Sequence, residues 1–156
     1  MSSIFDTFQG LPIHPLIVHL VVVVLPIATF TTIISVYSSR FRKGYSFASV
    51  IGVFVGTAAA FVAKQSGEAL SNHVGLPRKH SDYGNILTYV ALAFFIVVLL
   101  WYRKWRRTRS NRINALGFLL TVLGIAVLVL TYLAGHTGAK AVWEKRMFTI
   151  NSTIVN

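Results

Sequence analysis

The stretch PLIVHLVVVVLPIATFTTIISVY, Pro15–Tyr37, runs for 23 residues without a single Lys, Arg, Asp or Glu. As a helix rising about 1.5 Å per residue it reaches roughly 34 Å, enough to cross the hydrocarbon core of a bilayer. Pro15 suits a first helical position, where a missing N–H costs nothing, and Pro26 in mid-span predicts a kink. Three further apolar blocks follow, at about residues 47–65, 84–101 and 115–134. More than half of the 156 residues are apolar and 12% are charged. A soluble domain of this size cannot hide that much apolar surface, so the expected fold is all-α: one transmembrane domain over residues 1–156, folded as a four-helix antiparallel bundle in the lipid bilayer.

The connections set the topology. Nine of the 15 basic residues fall in two loops, Arg40, Arg42 and Lys43 within 38–46, and Arg103, Lys104, Arg106, Arg107, Arg109 and Arg112 after the third block. Basic loops of this kind stay on the cytoplasmic side, which predicts a multi-pass protein of the cell inner membrane with both termini on the non-cytoplasmic side. Trp101, Tyr102 and Trp105 read as interface anchors. Although the net charge is +11, this distribution points to topology and anionic lipid rather than to nucleic acid. With no cysteine, thiolate metal sites and iron–sulfur clusters are excluded. No basic segment precedes the first apolar block, so no cleavable signal peptide is expected. The longest polar connection, 66–83, holds Glu68, His73, His80 and Asp82, with Ser81 or Asp82 placed to cap the third helix. Gly52 and Gly56 form a GxxxG pair, extended by Ala60, for packing within the bundle or for a homo-oligomer.

All five histidines then fall at one end. His14 precedes the first helix, His19 lies about one turn inside it, His73 and His80 lie in the 66–83 loop, and His136 ends the fourth helix. Imidazole ligates transition metals and haem iron. Two imidazoles from facing helices would hold haem b from both sides, with Lys64, Arg78, Lys79 and Lys140 available for its propionates and Gly56, Gly67 and Gly84 leaving room for a macrocycle. Three histidines with Glu68 would suit copper or zinc, and a proton or redox relay is a further option. Against these stand ordinary roles: an interface imidazole packs its ring and wets its tip, and Glu68 can pair with Lys64 one turn earlier. The sequon Asn151-Ser152-Thr153 carries little weight, and no phosphate loop, nucleophile elbow or HExxH motif is present.

Leu11-Pro-Ile-His-Pro-Leu-Ile-Val-His19, Ser66-Gly-Glu68 followed by His80 and Gly84, and Ala134-Gly-His-Thr-Gly-Ala-Lys-Ala-Val-Trp143 resemble a bacterial membrane-protein family, domain of unknown function number 2231. The resemblance covers nearly the whole chain. It implies four spans, and its association with Rieske-type and other redox modules favours electron transfer or haem binding, with any redox partner a separate protein. His14, His19, Glu68, His80 and His136 fall on the motif positions; His73 does not. The leading expectation is therefore a membrane redox protein binding haem b. His19 and His136 stand first as ligands, then His80, then His14, with Glu68 orienting one imidazole. The alternatives are a copper or zinc binding or transport protein, held by His14, His19, Glu68, His80 and His136, and a non-catalytic accessory subunit of a membrane complex.

Overall fold

The computed structural model describes residues 7–8, 11–74, 78–109 and 115–154. It contains four long helices: α1 (Ile13–Tyr37), α2 (Ser39–Val74), α3 (Arg78–Thr108) and α4 (Ala115–Ile154). A two-residue antiparallel pairing, β1 (Thr7–Phe8) with β2 (Leu11–Pro12), precedes them. Each helix packs on its neighbours in sequence, and α1 closes the ring onto α4. All four are long and apolar enough to span a membrane. The chain is thus a four-helix, all-α membrane bundle, with the histidines at one end and the two arginine-rich segments at the other.

Helix lengths depart from the expected spans in a consistent way. Residues 38–46 are not a loop, because Ser38 alone separates α1 from α2. Its hydroxyl accepts the Phe41 N–H at 3.3 Å, an N-cap that lets α2 begin at once. Likewise α3 starts at Arg78, so Ser81 and Asp82 lie inside its first turns and do not cap it. Helix α2 continues past residue 65 through the i,i+4 pair Lys64–Glu68 (3.5 Å), and α4 past residue 134 through Lys140–Glu144 (3.5 Å). The loss of hydropathy marks where the apolar span ends, whereas the helices continue into polar sequence. Pro15 accordingly sits within α1, two residues after its start.

The interior is apolar but contains hydroxyls. Thr29, Thr32 and Ser35 are fully buried on α1, and each donates to a carbonyl of its own helix: Leu25 at 2.7 Å, Ala28 at 2.6 Å and Thr31 at 2.8 Å. This satisfies the hydroxyls without a partner helix and leaves the face smooth. Gly52 and Gly56 pack against α1: a β-carbon at Gly52 would lie 2.9 Å from Ala28 Cβ, and one at Gly56 would lie 2.9 Å from Leu25 Cβ. The Gly52/Gly56 face therefore packs within the bundle, against α1, the first of its two expected roles, because two glycines one turn apart let the backbones approach closely. Gly56 is accordingly not open to a macrocycle.

At the arginine end, Arg42 is 3% exposed. Its Nε donates to the Ser35 carbonyl at 2.7 Å and its Nη2 to the Val36 carbonyl. The guanidinium also lies over the Trp101 ring, 5.6 Å from its centroid. Arg42 is thus a structural residue that closes the α1–α2 turn, a role that charge counting along the chain did not reveal.

Candidate functional site

At the histidine end two imidazoles meet. His14 comes from the first turn of α1 and His80 from the first turn of α3, diagonal helices in the ring. Their ring centroids are 5.9 Å apart with planes at 81°. Each ring is tethered to a neighbouring helix. The His14 Nδ1 lies 2.9 Å from the Ala63 carbonyl on α2, and the His80 Nδ1 lies 3.0 Å from the Ala134 carbonyl on α4. A carbonyl oxygen only accepts, so both Nδ1 atoms must carry the proton. In the neutral form both Nε2 atoms then keep a lone pair, the tautomer a metal ligand requires. Ser66 sits beside this arrangement, its hydroxyl donating to the same Ala63 carbonyl at 3.1 Å.

Both rings line a cavity of about 60 Å³ to which all four helices contribute. Two threonines border it, but backbone carbonyls take their hydroxyls: Thr88 donates to Gly84 at 2.9 Å, with the Ala60 carbonyl of α2 at 3.4 Å, and Thr131 donates to Val127 at 2.8 Å. Besides the imidazoles, the ionisable group on the lining is Lys64, held by Glu68 and placed 5.5 Å from the Tyr89 ring centroid. The volume accommodates an ion with a few water molecules. It lies well below the roughly 300 Å³ at which pockets for organic ligands begin.

The remaining sequence candidates are not part of this pair. His19 is exposed on α1 and bonds to the Pro15 carbonyl of its own helix. His136 is exposed on α4 and stacks on Tyr132, 5.9 Å between centroids. The Glu68 carboxylate is engaged by Lys64 at the rim, and backbone carbonyls orient the two paired imidazoles. Lys140 is paired with Glu144. The side chain of His73 and those of the Asn151–Thr153 sequon lie outside the described residues, as does Arg112. Among the described residues no group of three or more His, Asp or Glu side chains is placed to hold a metal ion.

The sequence reading missed what seats His80. A β-carbon at Gly138 would lie 2.9 Å from His80 Cε1 and 3.0 Å from Nδ1. The second glycine of GHTG therefore leaves the recess that the imidazole fills. Gly138→Ala is expected to push the ring off the Ala134 carbonyl, so that 15N NMR of His80 no longer reports a fixed Nδ1–H tautomer. The helix itself gains up to about 1 kcal/mol of propensity, so global stability changes little. An unchanged His80 spectrum would contradict this packing.

Residues 10–151 match one family model, described as a predicted membrane protein (DUF2231). No curated protein and no solved structure matches the chain.

Proposed function

We propose for this chain, which belongs to the DUF2231 family of predicted membrane proteins, that His14 and His80 bind a single transition-metal ion through their Nε2 atoms at the mouth of the bundle. The observation that carries this reading is the tethered pair itself: two neutral-ready imidazoles, each fixed by a backbone carbonyl, with centroids 5.9 Å apart beside an ion-sized cavity. Metal–imidazole bonds are about 2.0–2.1 Å, so rings on either side of one ion come to about this separation. Imidazole ligation suits copper or zinc. Closed structural sites use four protein ligands; a two-histidine site leaves positions for water or a carrier's ligand, which suits exchange rather than permanent retention. The function is then metal-ion binding or transfer at the membrane face opposite the arginine-rich end, which the charge distribution supports as the non-cytoplasmic one.

Ligand count favours haem b as a second reading, because axial coordination of a porphyrin iron needs two imidazoles and no third protein donor. The cavity volume of about 60 Å³ weighs against it: a macrocycle demands several times that space, and α1 and α3 would have to separate. A separate redox partner belongs to this second reading only.

One preparation tests both. The purified protein is incubated with copper or zinc, desalted, and assayed by elemental analysis and by absorption with and without dithionite. The expected result is a metal ion at up to one per chain without a Soret band. His14→Ala or His80→Ala should weaken binding by more than about 10-fold, the loss that removal of a ligand's hydrogen-bond partner already causes, while His19→Ala and His136→Ala leave it intact. A Soret band that vanishes in the His14 and His80 variants would establish the haem reading instead. Metal retained undiminished by the folded double variant would overturn the site.

A further inference from the structure

We propose that the arginine end is a docking surface for anionic phospholipid headgroups, centred where the first turns of α2 meet the last turns of α3. Seven cations are exposed there: Arg40 and Lys43 on α2, and Arg103, Lys104, Arg106, Arg107 and Arg109 on and just after α3. Among the described residues the carboxylates Glu68, Asp82 and Glu144 all belong to the opposite end, as do the ion pairs Lys64–Glu68 and Lys140–Glu144. Arg42, the remaining described cation of this end, is committed to the α1 carbonyls.

Spacing makes the charge dense. Arg40 and Lys43 are i,i+3 on one helix, and Arg103 stands i,i+3 and i,i+4 from Arg106 and Arg107, so each set forms a ridge of mutually repelling neighbours. Helices α2 and α3 pack side by side, which brings the two ridges to the same end of the bundle, where no carboxylate is found among the described residues. Repulsion of that kind is relieved by anions, and juxtamembrane cations draw anionic lipid. The bilayer supplies the anion rather than free phosphate because apolar surface continues directly from the cations. Tyr45 (55% exposed), Phe47 (64%) and Ile51 (46%) follow Arg40 and Lys43 along α2, and Leu100 (49%) precedes Arg103 on α3. A headgroup at the ridges therefore has its acyl chains laid against an exposed apolar face. At the same level the Arg109 guanidinium lies 5.6 Å from the ring centroid of Trp105, which is buried in the bundle and not the interface anchor its position in the sequence suggested.

The test compares thermal unfolding of the full chain in nanodiscs of phosphatidylcholine alone and of phosphatidylcholine mixed with phosphatidylglycerol. A midpoint several degrees higher in the anionic discs is expected, shrinking as salt is raised. Arg103→Gln/Arg106→Gln/Arg107→Gln should retain the midpoint in neutral discs and lose most of the difference. Equal midpoints of the wild-type chain in the two discs would overturn the proposal, as would a triple variant that keeps the full difference. Equal stabilisation by inorganic pyrophosphate in neutral discs would also overturn it, identifying a soluble anion as the ligand. Should the triple variant fail to fold, the lipid retained by the wild-type chain after detergent extraction decides: enrichment of phosphatidylglycerol supports the proposal, and parity with phosphatidylcholine overturns it.

Discussion

Gly56→Leu is expected to lose about 3 kcal/mol or more of stability. A β-carbon there meets Leu25 of α1 at three atoms, Cβ at 2.9 Å, Cα at 3.0 Å and Cδ1 at 3.0 Å. Because one of them belongs to the α1 backbone, the clash cannot be relieved by a rotamer change, and the α1–α2 pair must part. Overpacking a core typically costs about 1–3 kcal/mol, and a branched side chain at a backbone contact belongs at or beyond the upper end. In lipid the loss is not recovered by water, since helix association rests on close van der Waals contact. Gly44 provides the control. Nothing lies within 4 Å of a β-carbon there, so Gly44→Ala should be neutral or should stabilise by up to about 1 kcal/mol. Denaturant unfolding in micelles, followed by tryptophan fluorescence, measures both. Wild-type stability in Gly56→Leu would show that α1 does not pack on this face.

Arg42→Ala should cost about 2–4 kcal/mol. The last carbonyls of a helix lack intrahelical donors, and Arg42 serves two of them, Ser35 at 2.7 Å and Val36, while its charge complements the negative end of α1. Truncation leaves both carbonyls without this charged donor, and hydrogen bonds to charged groups contribute about 1.5–3 kcal/mol each, not fully additively. It also removes the guanidinium from Trp101. Arg42→Lys should recover only part of the loss, because a single ammonium cannot fork to two carbonyls and stack on an indole. Equilibrium unfolding gives the magnitude, and a red shift of the Trp101 emission would report opening of the turn. A difference from wild type below about 0.5 kcal/mol, the range of ordinary surface substitutions, would mean that Arg42 is dispensable for the turn.

The two variants probe different levels of legibility. That Gly52 and Gly56 would let another helix approach could be read from their spacing; that the helix is α1 could not. Arg42 was indistinguishable in sequence from its neighbours Arg40 and Lys43, although one is buried and two are exposed. The difference comes from rotation around the helix axis, about 100° per residue, in a helix that begins at the Ser38 cap. The histidines follow the same pattern. Their gathering at one end was visible from the spans, but their grouping was not: His14 and His80 reach each other across the bundle, while His19, embedded in the most apolar run, faces outward.

By itself the amino-acid sequence determined that this protein crosses the bilayer four times and collects its imidazoles at one end. Hydropathy acts over twenty residues, and charge asymmetry over whole loops, so neither depends on partners distant in the chain. Only the tertiary structure decided which imidazoles meet, which arginine is buried and what covers the glycine face. Those outcomes depend on the rotation of each helix about its own axis, which is set by close packing among all four and has no local signature.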